Sequence, residues 1–275
     1  MNTPILIIGK PHSTKTTFLT QFYTKLVSKK SCLTLYKPVE NITAIKEAAE
    51  LLANGEETKP SPTDRSVGLF LPIKYNNQEI DLYCPDYGGE QINHIINNRE
   101  IDSKWATAIN ESDNWILFIR PTNLNSGFDL SNNAINPEAL ASTNSSVEEY
   151  SISDQSAFIE LLQIMLHVKG HNSHLKNKKT KLTVALTCWD EIEADTVVTP
   201  TEKLNQFLPL LLNFIEANWE REKYNIVGLS AQGFKLDSKE NQEKYQIEGN
   251  ESFGFLIKSD GSKSNDITEL ISEAL

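Results

Sequence analysis

The sequence predicts a three-layer α/β fold, with a mostly parallel sheet and one antiparallel edge strand. Apolar runs of strand length alternate with segments whose apolar residues recur at helical spacing. Trp115–Ile119 is continuously apolar, as expected of a parallel strand covered on both faces, and Pro4–Ile8, Leu182–Thr187 and Ile226–Leu229 are apolar strands beside it. One further run, Val67 to Ile73, contains Pro72. Proline cannot donate to a ladder, which puts that strand at the sheet edge and its hairpin partner further in.

Taken in order, Pro4–Ile8 feeds a glycine-bearing turn and then a helix with Phe18, Leu19, Phe22, Leu26 and Val27 on its apolar face. A short strand is expected within Ser31 to Tyr36. A helix with Ile42, Ile45, Ala49 and Leu52 follows and ends at Asn54-Gly55. Glu56 to Ser66, with Pro60 and Pro62, reads as a loop. The alternating runs Val67, Leu69, Leu71, Ile73 and Ile80, Leu82, Cys84 flank the turn Tyr75 to Gln78 and form a hairpin. Ile92 to Ile109 is expected to be one helix. Thr122 to Ser153, rich in Asn and Ser, interrupts the pattern. Ser153 then caps a helix carrying Phe158, Leu161, Leu162, Met165 and Leu166. Thr199, Pro200 and Glu202 make a capping box for a helix reaching Trp219, with a kink expected at Pro209. A polar remainder closes with an apolar run, Phe253 to Ile257, and a short helix, Ile267 to Leu275.

With 275 residues, 39% of them hydrophobic, the chain suffices for one large core. It reads as a single domain, 1–275, with a polar insertion at about 121–152 and a C-terminal extension from about 234. A net charge of -11 argues against a nucleic-acid surface. Cys32, Cys84 and Cys188 lie far apart without metal-like spacing, which suits a reducing cytoplasm. No apolar run approaches the roughly 20 residues of a spanning helix, and Gly9 and Lys10 interrupt the N-terminal apolar run, so neither membrane insertion nor a signal peptide is expected.

The chemistry concentrates at strand ends. Gly9-Lys10-Pro11-His12-Ser13-Thr14-Lys15-Thr16 lies between a strand and a helix and matches a phosphate-binding loop at Gly9, Lys15 and Thr16, with Thr14 in the second glycine position. Such a turn aims backbone N–H groups and the positive helix end at phosphates; Lys15 adds a full charge and Thr16 a hydroxyl for Mg²⁺. After the inner hairpin strand comes Asp86-Tyr87-Gly88-Gly89-Glu90-Gln91, where a carboxylate can hold Mg²⁺ through water and a glycine N–H can reach a γ-phosphate. Two later strands run into Thr187-Cys188-Trp189-Asp190 and Ser230-Ala231-Gln232. His167, His171 and His174 could bind zinc only if their helix continued past Gly170; a solvated helix end is the preferred reading.

In order, these motifs resemble the GTPase class of P-loop NTPase domains, Ras-like and translation-factor proteins, and most of all the divergent double-GTPases of bacterial conflict systems. The resemblance implies a Mg²⁺-dependent, GTP-hydrolysing switch that works beside effector or regulator proteins. It implies a phosphate and base site of Gly9, Ser13, Thr14, Lys15, Thr16, Thr17, Gly89, Thr187, Asp190, Ser230 and Ala231. The metal would be held by Thr16, Asp86 and Thr63, with Ser66 the alternative to Thr63, and Lys15, Glu90 and Gln91 would serve catalysis. Asp190 would read guanine, and Ser230 with Ala231 would support that contact. Three departures stand out: Thr187 and Cys188 replace Asn and Lys, Glu90 stands where many relatives have a water-orienting Gln, and Thr14 replaces glycine. Trp189 could compensate by stacking on the base or could be core. The departures keep two alternatives open, a catalytically weak interaction module and an ATP-binding variant.

Overall fold

The computed structural model describes residues 3–40, 42–58, 68–85, 89–126, 152–171, 174–192 and 198–275. The chain begins with β1 (Thr3–Gly9), α1 (Lys15–Val27), β2 (Thr34–Leu35), α2 (Thr43–Ala53), β3 (Leu69–Tyr75) and β4 (Gln78–Cys84). It continues with α3 (Glu90–Asn98), α4 (Ser103–Glu111), β5 (Asn114–Ile119), α5 (Asp154–Val168), β6 (Lys181–Thr187), α6 (Pro200–Phe207) and α7 (Pro209–Asn218). β7 (Tyr224–Ser230), α8 (Lys239–Glu248), β8 (Phe255–Ile257), β9 (Lys263–Ser264) and α9 (Glu269–Ala274) complete it. Among the described residues the strands form one sheet in the order β2-β3-β4-β1-β5-β6-β7-β8-β9.

The core of the sheet, β4-β1-β5-β6-β7, is parallel throughout, and both ends carry antiparallel pairs. Register aligns the carboxyl ends: Gly9 lies beside Phe118, Ile119 beside Leu186 and Thr187 beside Leu229. The loops after β1, β5, β6 and β7 therefore open on one edge, where ligands of parallel α/β sheets bind. Strand side chains alternate between two covered faces, which explains why the runs are apolar at every position. Ile5 and Ile7 pack with Phe18 and Phe22 of α1, while Leu6 and Ile8 pack with Leu161 and Met165 of α5. Each fully buried side chain of this size contributes about 1.5–3 kcal/mol.

The hairpin and its turn are as expected, but the edge placement of the Pro72 strand is corrected: β3 lies second in the sheet, with β2 outside it. Asn76 and Asn77 turn it with φ of 46° and 66°, as a two-residue primed turn requires. β3 is flanked by the two-residue β2, and Tyr36 N–H donates to the Pro72 carbonyl at 3.1 Å. The N–H and C=O of a strand residue point the same way, so Pro72 turns its missing donor outward, where the ladder ends.

Two helix expectations are corrected. The helix expected over Ile92–Ile109 is two, α3 and α4. Arg99 takes a left-handed conformation (φ 55°) that ends α3, and Asp102 caps α4 by accepting from Trp105 N–H at 2.8 Å. The expected kink at Pro209 is a full break. Leu208 is non-helical (φ −140°, ψ 61°) because a residue before proline is barred from the helical region, and Pro209 opens α7 at its first position. The capping box at Thr199 and Glu202 is present, with Glu202 accepting from Thr199 N–H at 2.8 Å. α5 ends at Val168 and Gly170 turns the chain away (φ 70°), so His167, His171 and His174 share no helix. Among the described residues no helix is long and apolar enough to cross a membrane.

Candidate nucleotide site

The loop between β1 and α1 is built by sterics. A Cβ on Gly9 would lie 2.6 Å from Ser13 Oγ and 3.0 Å from Phe118, so only glycine lets the loop close on itself. His12 and Thr14 both adopt left-handed backbone (φ 61° and 62°). Thr14 thus takes the conformation a glycine would take freely, at a cost of order 1 kcal/mol. Lys15 is buried and curls over the loop: its Nζ donates to the Gly9 carbonyl at 2.6 Å, the Lys10 carbonyl at 2.9 Å and Ser13 Oγ at 3.3 Å. No acidic residue lies in the first turn of α1, so nothing there offsets the positive helix end. Thr16 is half-buried in that turn, and Thr17 is buried with its hydroxyl 2.7 Å from that of Thr58.

Gly89 is brought directly onto this loop. At φ 86°, a Cβ there would lie 2.6 Å from Pro11 N, 2.7 Å from the Lys10 carbonyl carbon and 2.7 Å from Lys15 Nζ. Glu90 follows, exposed in the first turn of α3. Gln91 belongs to the α3–α4 contact, where its amide oxygen accepts from Trp105 Nε1 at 2.5 Å. Asp86, Thr63 and Ser66 lie outside the described residues.

The loop after β6 turns sharply at Cys188 (φ 51°). Thr187 is fully buried, and its hydroxyl donates to the Ile119 carbonyl at 3.2 Å; its side chain fastens β6 to β5 rather than facing a ligand. Cys188 hydrogen-bonds Thr14, joining this loop to the phosphate loop. Burial pushes its thiol up to about 12 against the opposing effect of Arg120, so no thiolate charge competes with phosphate there. Trp189 is core: it is 6% exposed, and its ring fills the space over Gly228, where a Cβ would come within 2.4 Å. The stacking reading for Trp189 is therefore corrected. Asp190 is exposed at the edge.

Ser230 is buried and accepts from Gly233 N–H at 2.8 Å, closing its turn. The Ala231 carbonyl accepts from Gln21 Nε2 at 3.3 Å, and the same amide reaches the Asn250 carbonyl at 3.0 Å and the Tyr245 hydroxyl. α1 and the Ser-Ala turn are thereby held as a unit. Burial raises the Tyr245 hydroxyl pKa, helped by the charges of Asp190 and Glu251.

Two residues absent from the sequence reading organise this end. Glu191 accepts from Arg120 Nε at 3.1 Å, from Arg120 Nη2 at 2.7 Å and from Thr122 Oγ1 at 2.6 Å, with Lys235 Nζ at 3.7 Å. Burial works to raise its carboxyl pKa; the Thr122 and Arg120 hydrogen bonds, with the Arg120 and Lys235 charges, outweigh it and hold the group below the usual carboxylate range. The available signal was a second carboxylate directly after Asp190 and an arginine directly after β5. Lys10 pairs with buried Asp154 at the start of α5, bordering a cavity of about 310 Å³ beside the phosphate loop.

A mixed sheet with a lysine-bearing phosphate loop after its central strand, and an aspartate and a Ser-Ala turn on neighbouring strand ends, defines a nucleotide-binding protein of the GTPase kind. The family model described as Double-GTPase 1 matches residues 6–274, and the chain belongs to that family. A comparison with curated proteins returns no match. The fold is similar to the Arl6 BBS3 small GTPase from Trypanosoma brucei with bound GppNp, at TM-score 0.41 and 12% identity, covering 91% of this chain and 98% of that one. It is similar also to the S. cerevisiae Ski7 GTPase-like domain bound to GDP and inorganic phosphate, at TM-score 0.42 and 12% identity over 84% of this chain and 43% of that one. For a bacterial selenocysteine-specific elongation factor, EF-Sec, the values are 0.37 and 14% over 90% of this chain and 29% of that one.

Proposed function

We propose that the protein is a GTP-binding and hydrolysing switch that requires Mg²⁺ and acts with partner proteins. The observation that carries this reading is the convergence of Lys15 and Gly89 on one phosphate loop, with Asp190 exposed on the same sheet edge. Lys15 and the α1 N-terminus neutralise the phosphates, Gly89 offers its N–H at the γ-position, and Asp190 accepts two hydrogen bonds from guanine.

The reading assigns Mg²⁺ to hard oxygen donors. Mg²⁺ in nucleotide sites takes one or two protein oxygens together with substrate phosphates. Thr16 is the described donor, with Asp86 and Thr63 as its proposed companions. There Mg²⁺ would supply positive charge to the phosphate oxygens.

Glu90 takes the position that the resemblance assigns to water orientation. Its negative charge opposes the phosphates, so the turnover of the isolated chain is slow and a partner accelerates it. Gln91 would contribute only after releasing Trp105. The same exposed Glu90 favours a second reading, a catalytically weak binding module. The buried Thr187 side chain, which offers the base nothing, favours ATP as the variant ligand. The three separated cysteines suit a reducing cytoplasm, which is the location proposed, and the net charge of -11 argues against nucleic acid as a direct partner.

Titration with GTP and with ATP in the presence of Mg²⁺, followed by phosphate release, tests the reading. GTP should bind far more tightly than ATP, phosphate should appear slowly, and Lys15→Ala should reduce triphosphate affinity by about 10²-fold, or ~2.7 kcal/mol, with the fold intact. Unchanged affinity in that variant would sink the phosphate-loop reading, and equal affinity for ATP would move the ligand assignment away from guanine.

A further inference from the structure

We infer that the Arg120–Glu191 ion pair is the positioning element for Asp190, so that base selectivity in this protein depends on a salt bridge outside the base-contacting residues. The inference rests on the proposed guanine reading by Asp190.

Asp190 is exposed at the middle of a single 3-10 turn, Trp189–Glu191, and such a turn has little stiffness of its own. Its neighbours supply it. On one side Trp189 is wedged against β7 over Gly228. On the other, the Glu191 side chain, 10% exposed, is held by both nitrogens of the Arg120 fork and by Thr122. Arg120 directly follows β5, and Lys235, 3.7 Å away, follows the Ser230-Ala231 turn after β7. One carboxylate therefore gathers the loops of three adjacent strand ends around the residue that faces the base.

The geometry fits positioning better than bulk stabilisation. A two-pronged arginine–carboxylate pair fixes distance and angle together, which a point charge does not. Thr187 spends its hydroxyl on Ile119, so the segment before Asp190 is secured to β5 as well, and the turn is pinned at both ends to consecutive residues, Ile119 and Arg120. Releasing Glu191 frees the trailing end of the turn, whereas the hydrogen bonds of Lys15 to Gly9, Lys10 and Ser13 involve neither member of the ion pair.

The test compares GTP and ATP affinities of the full chain carrying Glu191→Gln, Arg120→Lys or Asp190→Asn, each with a thermal melt. Positioning predicts that Glu191→Gln and Arg120→Lys weaken GTP binding about tenfold, leave ATP binding unchanged and so narrow the GTP-to-ATP ratio about tenfold. A merely structural role lowers the melting temperature and both affinities together, and that result would overturn the inference. Should Glu191→Gln fail to fold, Arg120→Lys, which keeps the carboxylate and a cation, carries the same measurement. If Asp190→Asn collapses the ratio while both other variants keep it, the positioning role is wrong and the base reading stands. If Asp190→Asn keeps the ratio, both fall together.

Discussion

The phosphate end and the base end of the candidate site are built by different means. The phosphate end is made of backbone under steric control: Gly9 and Gly89 admit no side chain, Thr14 is forced into glycine's conformation, and one buried lysine serves the whole loop. The base end is made of side chains: Thr187 on Ile119, Trp189 on Gly228, Glu191 on Arg120, and Gln21 on Ala231. Backbone geometry leaves a motif that survives divergence as a letter pattern. Side-chain scaffolding can be exchanged residue for residue, so it leaves none.

Breaking the first kind of construction should cost most. Gly89→Ala places a methyl against Pro11, Lys10 and Lys15 at positive φ, and should weaken triphosphate binding by about a hundredfold through displacement and strain of ~2–3 kcal/mol. Calorimetric titration with a non-hydrolysable GTP analogue checks this, and near-normal affinity would mean that Gly89 does not meet the phosphates. The second kind should yield less. Gly228→Ala drives a Cβ into the Trp189 ring and should destabilise the fold by about 1–3 kcal/mol by overpacking, with GTP affinity reduced more than ATP affinity because the ring adjoins Asp190. Urea unfolding and paired titrations measure both parts.

The smallest effect is a pH response that sharpens the comparison. The folded Glu191 carboxyl lies below its ordinary 4.5, so its contribution to stability is complete above that value and is lost as pH falls through the folded value. The melting-temperature gap between wild type and Glu191→Gln should be constant from pH 7 to about 5 and close as acid is added below about 4.5. A gap independent of pH down to acid unfolding would show that the charge of Glu191 is not what holds the turn.

The legible parts of the molecule are those that rest on periodicity and on backbone sterics. Ile5 to Ile8 and Trp115 to Ile119 declared a doubly covered sheet, Pro72 declared a missing donor near the edge, and Ser153 and Thr199 declared their caps. The helix breaks were harder, because the apolar spacing of Ile92, Ile96, Trp105 and Ile109 continues across a gap that only Arg99 in a left-handed turn creates. Asp102-Ser103 is a cap signal that periodicity outweighed. At the site, Gly9, Lys15 and Gly89 came from spacing. Arg120, Glu191 and Gln21 did not, since their meaning lies in partners at least 70 residues away in sequence, at 71 for Arg120 with Glu191 and 210 for Gln21 with Ala231.

The stem at Asn125 and Asp154 carries one more consequence. Asp154 N–H donates to the Asn125 carbonyl at 2.8 Å, and Asn125 N–H donates to Asp154 Oδ2 at 3.0 Å, so these two residues, far apart in sequence, are clamped together. For a flexible connection between two clamped residues, halving or doubling its length changes the closure cost by about 0.6 kcal/mol. Because Lys10 is paired to the same Asp154, the clamp also holds the phosphate loop, and a change of length between Asn125 and Asp154 is expected to leave that loop in place.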